Sequence, residues 1–474
     1  MNKVILFLLL LPVFTKGQEV KFDLDFPSDT SRIDSNYDTD LLPASFFNKN
    51  RQALRDLMPN NSVAIFFANP VRNRSNDVDF EYHQDPNFYY LSGLREPHAA
   101  LIIYKEDQEF KNDLKTNEIL FLQQKDKRNE LWTGEILGIA EAVKKLGVKT
   151  VMENEKFLLF ENDYEAFETI LSFKHDGDVK NTKVKGDLFG LIQSFNFATQ
   201  DLENTEETDL PQMMATLRQV KSKEEITLMR KAINMTCDAQ IELMKALKPE
   251  MKEYESEAIV EYVFKKNGAE HTGFPSILGG GENSCIIHYA KNRKQLKGKD
   301  MLVSDIGAEY HGYTADVTRT LPVDGHFSEE ETIIYNIVLK AQQTGIDSCK
   351  VGNKFWTPHR TATKIITDEL LALGIIKESY HVQRYFMHGT SHYLGLDVHD
   401  PGLHGTLQPG NVITVEPGIY IPEGSDCDPK WWNIGIRIED DILITTEGPD
   451  NLSEKAPRSV IEIEAMMKEE SMFE

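Results

Sequence analysis

The chain reads as a two-domain α/β protein, and three observations carry that reading. Short apolar runs bounded by turn residues alternate with amphipathic segments in the first half. An acidic stretch poor in apolar residues, 199–211, follows, with Glu203, Glu206, Glu207 and Asp209. Beyond it a capped helix opens a second half whose strand-like runs end in acids. At 474 residues the chain exceeds one ordinary domain, and 40% hydrophobic with 27% charged residues suits a large buried core.

Taken in order, Met1-Asn2-Lys3, the apolar run 4–14 and Thr15-Lys16-Gly17 have the basic start, apolar centre and small-residue end of a secretory signal. A leader at 1–17, an N-terminal domain at 18–205 and a second domain at 212–474 are therefore expected, in a secreted or periplasmic protein. The run at 4–14 falls well short of the ~20 apolar residues a spanning helix needs, and no later run is longer, so no stable membrane insertion is expected. Strands are predicted at 63–67, 99–104 and 118–122, and a helix at 135–145. Ser222 and Glu225 form a capping box, after which Ile226, Met229, Ile233, Cys237 and Met244 keep helical spacing.

The second domain holds the chemistry. Met301-Leu302-Val303 runs into Asp305, and Tyr313-Thr314-Ala315-Asp316-Val317-Thr318 alternates as a strand does, so a hairpin bringing both aspartates to one wall is expected, with Thr318 on the face of Asp316. Val412-Ile413-Thr414-Val415-Glu416 reads as a strand stopped by the Pro417-Gly418 turn, with Glu416 at its end. In 435–439 a period of two puts Arg437 and Glu439 on one face. His392 lies in a segment too glycine-interrupted for a helix. Four carboxylates converging on one cleft repel each other unless cations neutralise them, and Asp305, Asp316, Glu416 and Glu439 with the His392 imidazole are a recipe for a two-metal hydrolase. Oxygen ligands, one imidazole and no thiolate favour a hard or borderline ion such as manganese over structural zinc.

Other features pull less. Gly279-Gly280-Gly281 lacks the Lys-Ser or Lys-Thr of a phosphate loop and reads as a turn before a strand at 285–289. Trp431 and Trp432 are placed either at a cleft rim or packed under a loop. Four cysteines do not make a disulfide framework, so they are expected mostly buried and free, and nothing marks Cys285 as a nucleophile. The tail 462–474 is expected to be a frayed, solvated helix. A net charge of −24 without long basic runs argues against nucleic-acid or anionic-membrane partners.

The segments Leu302-Val303-Ser304-Asp305-Ile306-Gly307, Tyr313 to Thr320, His388-Gly389-Thr390-Ser391-His392 through Asp400, Val415-Glu416-Pro417-Gly418 and Gly435-Ile436-Arg437-Ile438-Glu439 resemble the signature blocks of pita-bread metallopeptidases. Together with Asn87 to Gly93 and Glu130-Leu131-Trp132-Thr133-Gly134, they point to the aminopeptidase P group (family M24B). The resemblance spans most of the chain. It implies a creatinase/aminopeptidase P-like α/β domain followed by a pita-bread catalytic domain. It places five metal ligands on Asp305, Asp316, His392, Glu416 and Glu439, further active-site histidines on His288, His388 and His399, and the cleft arginine on Arg437. It also implies two divalent ions, most commonly manganese, and attack by a metal-bridging hydroxide on the bond between an N-terminal residue and proline, with Glu416 moving the proton. Peptides with proline second are then the partners, alongside a second copy of the chain in a homo-oligomer. Two alternatives stay open: a prolidase restricted to dipeptides, and a catalytically inactive peptide-binding relative.

Overall fold

Ser62–Phe67 is buried along its whole length, and that burial explains why its sequence is apolar without alternation: both faces of its sheet are covered. The computed structural model describes residues 39–160, 162–174 and 179–473. The chain divides into Met1–Leu41 and Leu42–Glu474, and every described helix and strand belongs to the second unit. The leader expected at 1–17 lies outside the described residues.

The sheet of the first half has six strands in the order Val151–Glu153, Leu114–Leu122, Ala100–Phe110, Ser62–Phe67, Thr169–Leu171, Thr205–Glu206. Val63, Ile65, Phe67, Ala100 and Ile102 point to one face and pack on the helix Leu188–Thr199. Ala64, Phe66, Leu101 and Ile103 point to the other, into a core that continues across the domain boundary to Leu228, Met229, Tyr313 and Leu394. Charged pairs add ties between the halves: His83 Nε2 lies 3.0 Å from both Glu309 oxygens, and Arg95 Nη1 meets Glu270 Oε1 at 2.5 Å.

Several expectations need correction. The stretch 199–211 is no bare linker, because Thr205–Glu206 extends the sheet in parallel with Thr169–Leu171 and Asp209 starts the helix Asp209–Arg218. Its acids face outward while Leu210 and Met214, four apart, are buried, and Pro211 sits in the first turn, where the missing N–H is harmless. The helix expected at 135–145 is Gly138–Leu146, separated from Lys127–Thr133 by Gly134 at φ 89°.

The second half opens with Lys223–Ala246, capped by Ser222 and Glu225 as expected. This helix, with Glu253–Lys266, Glu329–Asp347 and Thr357–Ala372, backs small antiparallel sheets. One joins Ile277–Gly280, Met301–Ile306 and Val317–Pro322; another joins Val412–Val415, Asp440–Thr445 and Gly448–Asn451; a third pairs Gly418–Ile421 with Ile434–Arg437.

The hairpin of Asp305 and Asp316 is real but interrupted. Asp305 pairs with Thr318 in register, yet the chain makes an excursion through Ala308–Tyr310 and Tyr313–Thr314 before returning, and Asp316 lies in the break ahead of Val317. A Cβ on Gly307 would stand 1.9 Å from the Ala315 carbonyl oxygen, so this close crossing demands glycine. Pro417-Gly418 is likewise no turn: the strand is broken at Glu416 and Pro417 and resumes at Gly418. The run 285–289 is not a strand, because Gly281–Cys285 is a 3₁₀ turn and a loop follows. Trp431 is 4% exposed in the second core, which settles it as packing. The tail is ordered by Val460–Met466, with Ile463 fully buried and Phe473 set edge-on to Tyr262. All four cysteines are free, Cys237 and Cys349 buried and Cys285 and Cys427 partly so.

Candidate active site

The small sheets meet at a cavity of about 320 Å³. Its polar wall is built where strands break. Asp316 precedes Val317–Pro322, Glu416 separates Val412–Val415 from Gly418–Ile421, and Glu439 separates Ile434–Arg437 from Asp440–Thr445. A residue between two paired strands keeps its backbone partly anchored and its side chain free to turn inward. Glu416 N donates to Thr390 O at 2.9 Å and Glu439 N to Thr318 O at 3.1 Å.

Asp305, Asp316, His392, Glu416, Glu439, Arg437, His288 and His399 all line the cavity. His392 Nε2 lies 3.4 Å from Asp316 Oδ2 and 3.8 Å from Glu416 Oε1. His392 Nδ1 is 3.1 Å from the Tyr393 carbonyl, to which it donates, leaving the Nε2 lone pair facing the carboxylates. Ligand atoms of Asp316, His392 and Glu439 lie within 4.8 Å of one another. Thr318 Oγ1 donates to Glu439 Oε2 at 2.6 Å, so the threonine on the Asp316 strand orients the other acid. The His399 ring stands edge-on to His392 at 4.5 Å.

His388 stands beside Glu416, with Nδ1 3.6 Å from Glu416 Oε2. Burial, then Arg437, pushes its imidazole down to about 4. The neutral ring donates Nδ1–H to Gly389 O at 2.7 Å and accepts the Tyr420 hydroxyl on Nε2 at 2.9 Å. Arg437 Nη1 donates to the same Tyr420 oxygen at 2.9 Å, and Nη2 to Asp305 Oδ2 at 2.5 Å. Burial opposes the Arg437 charge, but Tyr420, Asp305 and Glu439 outweigh it and lift its pKa well above the usual range.

The carboxylates are electrostatically unsatisfied. Burial, then Asp305 and Asp441, raises Asp316 well above its ordinary value; burial, then Asp316 and Glu416, does the same to Glu439; and burial raises Glu416 to about 7. Asp305 Oδ1, Asp316 Oδ1 and Glu439 Oε1 are buried and have no hydrogen-bond partner among the described residues. Crowded, dehydrated anions with spare lone pairs fit divalent cations, which would relieve both defects at once.

Sequence reasoning missed three contributors. Tyr420 lies in Gly418–Ile421, just past the break at Glu416 and Pro417, and its hydroxyl reaches Arg437 and His388. Asp441 accepts the Asp316 backbone N–H at 3.1 Å. Gln240 is fully buried and donates to Ser304 O at 2.9 Å and Val317 O at 2.8 Å, tying together the strands beside Asp305 and Asp316. The apolar wall of Phe274, Pro275, Ile277, Ile287 and Val398 had no local signature.

Paired strands presenting acids and one imidazole inward define a metal-dependent hydrolase of the pita-bread fold. Residues 227–446 match the model of metallopeptidase family M24, and 47–162 that of the aminopeptidase P N-terminal domain. The chain is 34% identical over 439 residues to Xaa-Pro aminopeptidase of Escherichia coli K12, covering 89% of this chain and 97% of the relative. It is 34% identical over 438 residues to that of Haemophilus influenzae, covering 90% and 98%. The solved structure of E. coli aminopeptidase P with the inhibitor Pro-Leu superposes with a TM-score of 0.79 at 32% identity, over 90% of this chain and 98% of that one. The chain belongs to metallopeptidase family M24, in its aminopeptidase P branch.

Proposed function

We propose that this protein removes the N-terminal residue from peptides whose second residue is proline. Two divalent ions, manganese by the ligand chemistry, are held by Asp305, Asp316, His392, Glu416 and Glu439. The observation that carries this reading is the set of buried carboxylate oxygens left without partners around His392 Nε2. When bound, the ions supply Lewis acidity and a water acidic enough to attack at neutral pH.

This chain's own residues do the rest. Glu416 accepts the proton of the attacking water and passes it to the departing proline nitrogen, a task its place on the cavity wall allows. Proline nitrogen carries no hydrogen in the peptide, so its pocket needs no acceptor, and Phe274, Pro275, Ile277 and Val398 offer the ring an apolar wall. His399 and His288 face the cavity and supply N–H donors to the oxyanion or to the peptide beyond proline. Arg437 fixes Asp305 and Tyr420, and through Tyr420 it fixes His388.

The remaining parts of the reading rest on the sequence and the family resemblance. The leader at 1–17 exports the chain; the domains run 18–205 and 212–474; and the protein works as a homo-oligomer. Among the described residues no helix is long and apolar enough to cross a membrane. The test is hydrolysis of matched Xaa-Pro and Xaa-Pro-Yaa peptides, native, chelated and resupplied with manganese. Tripeptide cleavage lost to chelator and restored by metal is expected. Cleavage of the dipeptide alone would make the protein a prolidase, and cleavage of neither would remove the enzymatic reading.

A further inference from the structure

We infer that Glu253, outside the cavity, is a positioning residue for His288. Three consecutive glycines lead into the loop that carries His288, where the chain makes close approaches and a positive φ. A Cβ on Gly279 would meet Asn283 O at 2.8 Å, one on Gly280 would meet Leu296 Cδ2 at 2.2 Å, and Gly281 has φ +56°. The loop then runs to Lys294, with Ile286, His288 and Ala290 exposed at its tip. A tip so poorly packed takes its position from its ends.

Both ends are held by one carboxylate. Glu253 is fully buried at the start of Glu253–Lys266, where the helix N-terminus favours negative charge. Its Oε1 accepts Gly280 N and Asn283 Nδ2, each at 2.9 Å; its Oε2 accepts Tyr289 Oη at 2.8 Å and Lys294 N at 2.7 Å. The four donors come from the loop's entry, its first turn, the residue next to His288, and its exit. Asn292 supplements the grip, accepting Leu278 N at 3.1 Å and donating to Ser276 O at 2.8 Å. A glutamine at 253 presents one acceptor oxygen and an NH₂ that faces donors, so at least two of the four bonds are lost with little change in volume.

The consequence for turnover rests on the role proposed above for His288; the clamp itself does not. The experiment compares Glu253→Gln, Tyr289→Phe and His288→Ala singly, and each of the first two combined with His288→Ala, in the manganese-loaded enzyme. It measures kcat/KM on an Xaa-Pro-Yaa peptide, bound manganese, and hydrogen exchange over 281–294. Glu253→Gln is expected to keep its manganese, speed exchange over 281–294, and lose about tenfold or more in kcat/KM, of which less than about twofold remains in the His288→Ala background. Equal losses in both backgrounds, or unchanged exchange, overturn the inference. If Glu253→Gln does not fold, Tyr289→Phe, which removes one bond of four, is judged by the same two criteria. A His288→Ala enzyme with full activity removes the catalytic role of His288, and exchange alone then decides whether Glu253 sets the loop.

Discussion

Stripping the cations from the cleft should make the protein less stable as pH rises from about 4.5 to about 7, the opposite of ordinary acid denaturation. Glu416 carries the argument because burial raises its carboxyl from 4.5 to about 7. The folded chain therefore binds that proton more tightly than the unfolded chain. The favourable contribution is present at acid pH, where both states are protonated, and is lost as pH climbs through the folded value. At 1.36 kcal/mol per pKa unit the cost at pH 8 is about 3 kcal/mol, a sizeable part of a typical folding free energy. Asp316 and Glu439 shift in the same direction. Urea unfolding of the chelated protein at pH 4.5 and pH 8, beside Glu416→Gln, reads the effect: wild type should lose about 3 kcal/mol more than the variant over that interval. Saturating manganese should reverse the trend, because protons then compete with bound cations. A chelated wild type with the same pH dependence as Glu416→Gln would refute the reasoning.

Three further outcomes are expected. Tyr420→Phe leaves Arg437 Nη1 and His388 Nε2 without their shared partner and should lower kcat/KM about tenfold at unchanged manganese content; steady-state kinetics with metal analysis checks this, and full activity would count against a role for the Tyr420 bridge. Gln240→Leu strands the carbonyls of Ser304 and Val317 and should cost about 1–3 kcal/mol in urea unfolding while weakening manganese binding in calorimetric titration. Asp400, held below its ordinary pKa because Arg218 and Lys221 outweigh the desolvation that opposes them, joins both cations in a buried cluster. Asp400→Ala leaves Lys221 without its carboxylate and Arg218 with Asp397 alone, and should cost about 3 kcal/mol; an unfolding midpoint within error of wild type would sink that account.

The elements that sequence made legible are those whose periodicity reports one dominant environment. The strand at 62–67, the Ser222 cap and the inward pair of Arg437 and Glu439 follow from local pattern alone. The five candidate ligands are legible because each sits in a recognisable run. Their setting is not, since a break at Asp316 or Glu416 comes from pairing with strands far along the chain: Asp316 N meets Asp441, 125 residues away. The acids at 199–211 mask a helix because charge content hides the spacing of Leu210 and Met214. His388 is legible as a candidate, but its bond to Tyr420, 32 residues away, is not. Gln240 is invisible because a buried glutamine looks like any other polar residue until its two carbonyl partners are known.

The breaks at Asp316, Glu416 and Glu439 also govern the order of events during synthesis. Asp305 and Asp316 leave the ribosome more than a hundred residues before Glu439. The strand contacts that turn Glu439 inward, its N–H on Thr318 and its carboxylate under the Thr318 hydroxyl, exist only once both regions have paired. A nascent chain ending short of the Asp440–Thr445 strand has carboxylates but no enclosed site. The enclosed carboxylate cluster is thus complete only in chains whose distant strand segments have already paired.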